Sequence, residues 1–97
     1  MNGISTKKVV GGKLLRIKTE FNDKIHAVQI TGDFFLHPEE KIVDIERTLI
    51  GLPVLESRQK IIEKIQAVIR REKIELVGIS TEDIADTLLE SLLVGKT

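Results

Sequence analysis

The side chains best suited to metal chemistry in this sequence are two histidines, His26 and His37. Their spacing does not match the His-x-x-x-His pattern that places two imidazoles on one helix face, and there is no cysteine to complete a thiolate site. We therefore expect no metal site and structural or surface roles for both histidines, with His26 on the inward face of a strand. The absence of cysteine also excludes disulfides and thiolate catalysis, and it fits a cytoplasmic protein.

Three carboxylates lie close together in the sequence, at Asp33, Glu39 and Glu40. Paired carboxylates can serve as general acid and base when their surroundings separate their pKa values. Here Glu39 and Glu40 are explained by the first turn of a helix, where the helix dipole favours negative charge. Asp33 is better explained as a turn residue than as a general base. No serine stands in a nucleophile-elbow motif, so we predict no catalytic residue.

The segment Gly11-Gly12-Lys13 resembles a fragment of a phosphate-binding loop. The remaining spacing and the following serine or threonine of such loops are missing, so the nucleotide-binding signal is weak. Two adjacent glycines also suit a flexible hinge, a close backbone approach, or a simple turn before a strand. These alternatives remain open from the sequence.

Two of the three aromatic residues, Phe34 and Phe35, follow Gly32 and Asp33 directly. Neighbouring side chains point to opposite sides of an extended backbone, so one ring can enter the core while the other stays outside. An exposed phenylalanine beside Gly32 and Asp33 would form an interaction site. Burial of both rings beneath helices is equally compatible with the pattern.

Upstream of these phenylalanines, alternating apolar residues predict a β-hairpin. Lys13 to Phe21 and Lys24 to Thr31 alternate in hydropathy, and Asn22-Asp23 between them suits a tight two-residue turn. The expected pairs are Phe21 with Lys24, Thr19 with His26, Ile17 with Val28, and Leu15 with Ile30. This register places the apolar residues on one face. A later strand at Ile74 to Ile79 is expected to join the hairpin.

Downstream, apolar residues recur every three or four positions and predict three helices. The first runs from Pro38 to Ile50, the second from about Glu56 to Arg71, and the third from the capping sequence at Ser80 to about Leu93. The element order is β-β-α-α-β-α. The sequence thus predicts an α+β fold in which a three-stranded sheet, the hairpin plus the later strand, packs against three helices. We expect one domain over residues 1–97, with residues 1–12 as a flexible arm.

Composition narrows the class of partner. Fifteen basic and fifteen acidic residues give a formal charge of zero, which argues against a nucleic-acid binder with a broad basic field. No apolar run approaches about 20 residues, so no membrane-spanning helix is expected. Together with 31% charged residues, this predicts a soluble globular domain.

Two long runs of the sequence carry a family resemblance. KKVVGGKLLRIKTEF and KIHAVQITGDFFLHPEEKIVDIERTLIG resemble the C-terminal accessory domain of lipoate–protein ligases, closely over Lys7 to Gly51 and more loosely to GISTEDIADTLLESL. The most specific parts are Gly11-Gly12-Lys13-Leu14, Ile30 to Phe35, and Pro38-Glu39-Glu40. The chain has no catalytic portion of such a ligase, so it resembles the form in which the accessory domain is a separate small subunit.

The resemblance implies a heterodimer with a catalytic subunit that holds lipoate and ATP with Mg²⁺, while this chain alone binds no cofactor. It implies that docking favours ATP-dependent activation of lipoate to lipoyl-adenylate. The lipoyl group then goes to a lysine on a lipoyl domain of a 2-oxo-acid dehydrogenase or on the glycine-cleavage H protein. Candidates for the partner interface or for activation are Gly11, Gly12, Lys13, Gly32, Asp33, Phe34 and Phe35, and Lys13 is a candidate to approach the nucleotide.

Two other functions remain open at this stage. The chain could be a general protein-interaction module without a role in lipoylation, which a pull-down recovering unrelated partners would support. A free-standing small enzyme is disfavoured, because no nucleophile or acid–base pair converges in the sequence.

Overall fold

The computed structural model of the chain describes residues 1–9 and 11–95. Within them, four strands precede two helices, and a fifth strand and a third helix follow, an α+β arrangement that confirms the predicted fold class. The strands are β1 (Asn2–Lys8), β2 (Leu14–Phe21), β3 (Ile25–Gly32), β4 (Phe35–His37) and β5 (Glu75–Val77). A 3₁₀ turn (Glu39–Lys41) precedes α1 (Ile42–Leu49), and α2 (Arg58–Arg71) and α3 (Thr81–Gly95) follow.

The central sheet is antiparallel with the order β1-β2-β3. The alternation on β2 holds throughout, since Leu15, Ile17, Thr19 and Phe21 are all buried and the residues between them are exposed. All three helices lie on the buried side, where α3 packs on β1 and β2, and α1 packs on β3. Leu15, Ile17, Ile45, Ile65 and Leu88 are among the core residues enclosed between the two layers. No helix of residues 1–9 and 11–95 covers the opposite side of the sheet.

The prediction of a flexible arm over residues 1–12 was wrong for its first part, because β1 forms the third strand of the central sheet. Asn2–Lys8 pairs along its length with β2. Its inward positions are Gly3, Ser5 and Lys7, none of them apolar and large, so the segment shows no apolar alternation. Gly3 lies so close to α3 that a Cβ there would overlap the carbonyl oxygen of Ser91. Backbone packing rather than large side chains therefore holds this strand.

The hairpin of β2 and β3 exists, but its predicted register was two residues out. Ile17 faces Ile30 and Thr19 faces Val28, with a bulge where Phe21 meets Ile25. A shift of two residues preserves which side chains face inward, so the apolar face is as predicted. The connection is longer than the expected two-residue turn because Ile25 bonds elsewhere. Its N–H donates to Leu52 O at 2.9 Å, and its carbonyl accepts from Gly51 N at 2.8 Å.

The later strand was predicted to join the hairpin, and this was also wrong. β5 pairs instead with β4, in a separate two-stranded sheet where Phe35 lies opposite Val77. The outer edge of β3 is already occupied. The Glu46 carboxylate accepts a hydrogen bond from Ile30 N at 2.8 Å, in addition to the bonds that the 51–52 segment makes to Ile25. These bonds use backbone groups of β3 with which a further strand would otherwise have paired.

The helices begin and end near their predicted positions. The first is split, since Pro38 is followed by the 3₁₀ turn before α1 starts at Ile42. Ser57 caps α2, with its Oγ accepting from Lys60 N at 3.2 Å. A reciprocal capping box opens α3: Ser80 Oγ accepts from Asp83 N at 3.1 Å, and the Asp83 carboxylate accepts from Ser80 N at 2.9 Å.

Among the described residues, no helix combines the length and the hydropathy needed to cross a membrane.

A bidentate ion pair joins α2 to α3 and makes stability depend on pH. Arg58 donates to Asp86 at 2.7 Å and 3.3 Å, and this hydrogen bonding lowers the pKa of Asp86 below its ordinary value of 3.8. A carboxylate with a depressed folded-state pKa stabilises the fold above the unfolded-state pKa of about 4, and that contribution is lost as the pH falls through the folded-state value. We expect Asp86→Asn to lower the urea midpoint at about pH 7 and to converge on the parent once the pH falls below the lowered folded-state pKa of Asp86.

Asp23→Asn is the control, because Asp23 is exposed and forms no ion pair among the described residues. Its midpoint should follow the parent at every pH. A difference between Asp86→Asn and the parent that stays constant across the pH range would contradict the linkage.

Candidate functional site

The first predicted motif, Gly11-Gly12-Lys13, forms the turn that joins β1 to β2. Gly12 N donates to Val9 O, and Val9 N donates to Lys13 O, both at 2.9 Å. Gly11 and Gly12 have φ angles of 94° and 83°, which side chains with a Cβ rarely adopt. A Cβ at Gly11 would meet nothing within 4 Å. The glycines are therefore explained by the turn between two antiparallel strands, not by a phosphate-binding loop ahead of a helix.

Asp33 closes the far end of the β2–β3 pair. Its Oδ1 accepts from Leu14 N at 2.5 Å, and its own N–H donates to Leu14 O at 3.2 Å. Both bonds hold backbone groups at the start of β2. This is the turn role favoured by the sequence, and it leaves the carboxylate committed to a backbone amide.

Gly32 allows this closure because the backbones approach closely. A Cβ on Gly32 would overlap Leu14 O and would lie 2.9 Å from Cδ1 of Phe34. Any larger residue must displace either the start of β2 or the Phe34 ring. The two predicted motifs, 11–13 and 32–35, are therefore brought together around Leu14.

Lys13 extends from the first motif across the second. Its ammonium group lies 5.6 Å from the centre of the Phe35 ring, within the range of a cation–π contact. Its stem runs past Gly78, just after β5, where a Cβ would come within 3.1 Å of Lys13 Cγ. We call Lys13, Leu14, Gly32, Asp33, Phe34, Phe35 and Gly78 the Lys13 corner.

The two phenylalanines divide as extended geometry requires. Phe34 is half-buried and packs against the core, whereas the Phe35 side chain is 65% exposed. Val77, opposite Phe35 on β5, is 49% exposed, and Leu14 is 46% exposed. An exposed aromatic ring beneath an ammonium group, with an exposed apolar side chain opposite it on the neighbouring strand, is a surface of the kind that binds other proteins.

The chemistry available at the Lys13 corner is binding rather than bond cleavage. Its one carboxylate is held by a backbone amide, and its one ammonium group lies over an aromatic ring. A general acid–base mechanism needs a group positioned to give or take a proton at a substrate. The corner instead offers an aromatic ring, a cation and a fixed backbone.

The histidines lie elsewhere. The prediction that His26 faces inward was wrong, because the bulge at the end of the hairpin turns its side chain to solvent. There its Nε2 lies 2.7 Å from Asn22 Oδ1. His37 is exposed as well. Within the described part of the chain, no group of three or more His, Cys, Asp or Glu side chains is arranged to hold a metal ion.

The other perturbed ionisable groups involve none of the corner residues. Lys41 Nζ donates to Glu72 at 3.0 Å. This bond raises the pKa of Lys41, and together with a bond from Arg71 it lowers the pKa of Glu72. The pair ties the 3₁₀ turn to the end of α2, which is a structural role.

Sequence reasoning missed Leu14 and Gly78 as parts of the Lys13 corner, and it missed Val77 opposite Phe35. Leu14 had a detectable signal, since it is a large apolar residue on the otherwise polar face of β2. Gly78 and Val77 had none, because their placement depends on β5 pairing with β4 rather than with the hairpin.

The different burial of the two rings predicts different effects on stability. We expect Phe34→Ala to lower the free energy of unfolding by about 2 kcal/mol, roughly half the cost of removing a fully buried ring. Phe35→Ala should change it by less than about 0.5 kcal/mol, as for other exposed positions. Urea denaturation of both variants measures the difference. Equal losses would show that Phe35 also supports the core.

Comparison with known proteins adds one informative similarity. No protein-family model matches the chain, and no curated protein is significantly similar to it. Among solved structures, it is similar to a chain from the structural analysis of an archaeal lipoylation system, a bipartite lipoate protein ligase and its E2 lipoyl domain from Thermoplasma acidophilum. The TM-score is 0.69 and the identity 26%, over 91% of this chain and 97% of that chain. The predicted resemblance to a small chain of a lipoate–protein ligase is confirmed.

Proposed function

We propose that this chain is the accessory subunit of a two-chain lipoate–protein ligase. The observation that carries the proposal is the similarity, along nearly the whole of both chains, to a chain from a bipartite ligase system. The two chains are therefore of nearly equal length. The exposed apolar surface of the Lys13 corner and its lack of acid–base machinery support a role in docking rather than in chemistry.

In this proposal the catalytic partner carries out both covalent steps. It binds lipoate and ATP with Mg²⁺, the lipoate carboxylate attacks the α-phosphorus, and pyrophosphate leaves to give lipoyl-adenylate. A lysine amine on a lipoyl domain of a 2-oxo-acid dehydrogenase, or on the glycine-cleavage H protein, then displaces AMP. The reaction is expected in the cytoplasm, where such acceptors would be modified.

The contribution of this chain is a coupling free energy. A subunit that binds the adenylation-competent state of its partner more tightly than other states raises the population of that state. A coupling of about 1–3 kcal/mol corresponds to a roughly 5- to 150-fold change. Within the Lys13 corner, the Phe35 ring and the Lys13 ammonium group are the side chains best placed to make such a contact.

The test is reconstitution with the catalytic ligase chain of the same organism. Without an acceptor protein, the catalytic chain should release pyrophosphate slowly from lipoate and ATP, and this chain alone should release none. Adding this chain should raise the rate by at least about fivefold, the lower end of such couplings. An unchanged rate, in a mixture where both chains are folded, would rule the proposal out.

The alternative is a general interaction module. It predicts that affinity capture from the native cell recovers partners other than the ligase and that pyrophosphate release does not respond. The Phe35→Ala variant distinguishes the two functions further. If the chain is the accessory subunit, this variant should stay folded and yet increase pyrophosphate release by the catalytic chain less than the parent does. Arg70→Ala is its control, since Arg70 is exposed on α2 and makes no ion pair among the described residues.

A further inference from the structure

The side of the central sheet that carries no helix is polar but unevenly charged. We call it the outer face, formed by alternate residues of the three strands: Asn2, Ile4, Thr6 and Lys8 on β1, Leu14, Arg16, Lys18 and Glu20 on β2, and Ala27, Gln29 and Thr31 on β3. Lys8, Arg16 and Lys18 supply three cations and Glu20 one anion. A chain with zero formal charge overall thus presents a net positive surface here.

Lys8, Arg16 and Lys18 form no ion pair with the described residues of this chain. The ion pairs among the described residues involve other cations, and all lie on the helices, the 3₁₀ turn or the inward side of β1. Arg16 donates only to the neutral Thr6 Oγ1, at 3.2 Å. Cross-strand neighbours of Arg16 and Lys18 on β3 are Thr31 and Gln29, which carry no charge. The positive field therefore points away from the molecule.

Apolar surface lies between these cations. Ile4 is 47% exposed opposite Lys18, and Leu14 is 46% exposed opposite Lys8. The same face holds a shallow groove of about 490 Å³, whose lining includes Ile4, Lys18, Ala27 and the one anion of the face, Glu20. Apolar groups surrounded by charged ones are the usual arrangement of a protein–protein contact.

The outer face is continuous with the Lys13 corner. A second depression is lined by Thr6, Leu14, Arg16, Thr31, Gly32 and Asp33. It therefore contains residues of both surfaces, with Leu14 and Arg16 side by side. A partner that contacts the Lys13 corner at Leu14 can therefore extend from there onto the outer face.

A second copy of this chain is a poor occupant. A twofold dimer places the same patch of each subunit against the other. It would bring two copies of the same net positive patch together, and like charges across an interface are costly. The face is complementary to an acidic surface instead.

We propose that the outer face, through Arg16, Lys18 and Lys8, docks an acidic surface on the catalytic ligase chain. This inference rests on the proposed function and identifies the contact that the accessory subunit uses. The expected partner surface carries carboxylates spaced to meet the three cations around a small apolar centre that covers Ile4 and Leu14. Such charges steer association and fix the orientation of the docked chains.

The experiment compares two charge reversals that change the formal charge equally. Arg16→Glu/Lys18→Glu alters the outer face, and Lys60→Glu/Lys64→Glu alters exposed positions on α2. Dissociation constants for the catalytic chain are measured by titration calorimetry at low and high salt, after circular dichroism shows that each variant is folded. We expect the outer-face variant to bind on the order of tenfold more weakly at low salt, or worse, and to lose most of the salt dependence, while the α2 variant stays within about twofold. Arg16→Gln/Lys18→Gln, which removes the charges without reversing them, should fall between.

Three results would overturn this docking face. One is an outer-face variant that binds as tightly as the parent. Another is an equal loss in both variants, which would indicate a general effect of net charge. The third is sedimentation of the parent chain alone as a dimer that the Arg16→Glu/Lys18→Glu change dissociates. In each case, activation by the parent chain can persist, so the proposed function survives separately. Absence of any binding to the catalytic chain rejects both.

Discussion

Replacing Gly3 with alanine is expected to destabilise the protein by about 3 kcal/mol or more, a large share of the stability of a small domain. The added methyl group would overlap the Ser91 carbonyl oxygen and lie 2.8 Å from its carbon and 3.0 Å from Thr19 Oγ1. All of these atoms are buried where β1 crosses α3. The helix backbone cannot rotate away as a side chain can, so either β1 or α3 must move. Moving them also strains the bond between Thr19 Oγ1 and Ser91 Oγ, 3.2 Å long.

Urea denaturation measures this effect, and two controls isolate its cause. Asn2→Ala changes the same strand at an exposed position and should cost little. Gly11→Ala tests conformational strain alone, because the site has open space but a φ of 94°, and about 1–2 kcal/mol is expected. If Gly3→Ala costs no more than Gly11→Ala, close packing of β1 on α3 is not what holds the strand. A lower m-value with an early transition would indicate that β1 detaches before the rest unfolds.

The second large effect is expected at Gly32, where stability and function should fall together. A methyl group there would collide with Leu14 O and crowd the Phe34 ring. We expect a loss of about 2–3 kcal/mol, together with reduced activation of the catalytic chain at temperatures where the variant is folded. The reason is that Leu14 and Phe34 position the rest of the Lys13 corner.

Asp33→Asn provides the comparison for Gly32→Ala. The amide keeps the size of Asp33 and retains an oxygen that can accept from Leu14 N, so the change in stability should be about 1 kcal/mol or less. Activation should be largely retained. If the folded Gly32→Ala variant activates the catalytic chain as well as the parent does, the Lys13 corner does not take part in activation.

Much of the fold is predictable because the buried face of a strand or helix, and the cap of a helix, depend on residues close together in the sequence. Alternation alone placed Leu15 and Ile17 inward, and it survives a register error of two residues. The capping box at Ser80 and the apolar residues along the buried side of α2 could likewise be recognised within short windows of sequence. These features depend on residues close together in the chain, which is where pattern reasoning is strongest.

What the sequence did not reveal depends on distant backbone contacts. β1 carries glycine and serine where a strand usually carries apolar residues, so only its packing on α3 marks it as a strand. The hairpin register depends on Ile25 bonding to the 51–52 segment. The place of β5 depends on Glu46 occupying the edge of β3. A local sequence pattern does not show which of several distant segments will form hydrogen bonds with a given strand.

The candidate site was predicted in its parts but not in its assembly. Gly32 and Asp33 do shape a turn, and Phe35 is the exposed ring of the pair. The contact of Lys13 with Phe35 could not be foreseen, because it requires the ends of β2 and β3 to be closed by Asp33.

The Glu46 bond to Ile30 has a further consequence, for aggregation. An exposed strand edge is a template on which other chains can add. With Glu46 and the 51–52 segment occupying β3, backbone pairing with another chain is directed to β1, at the other end of the sheet. Two such molecules joined at β1 would each present β3 at the far end of the combined sheet, where Glu46 and the 51–52 segment hinder the addition of a further chain.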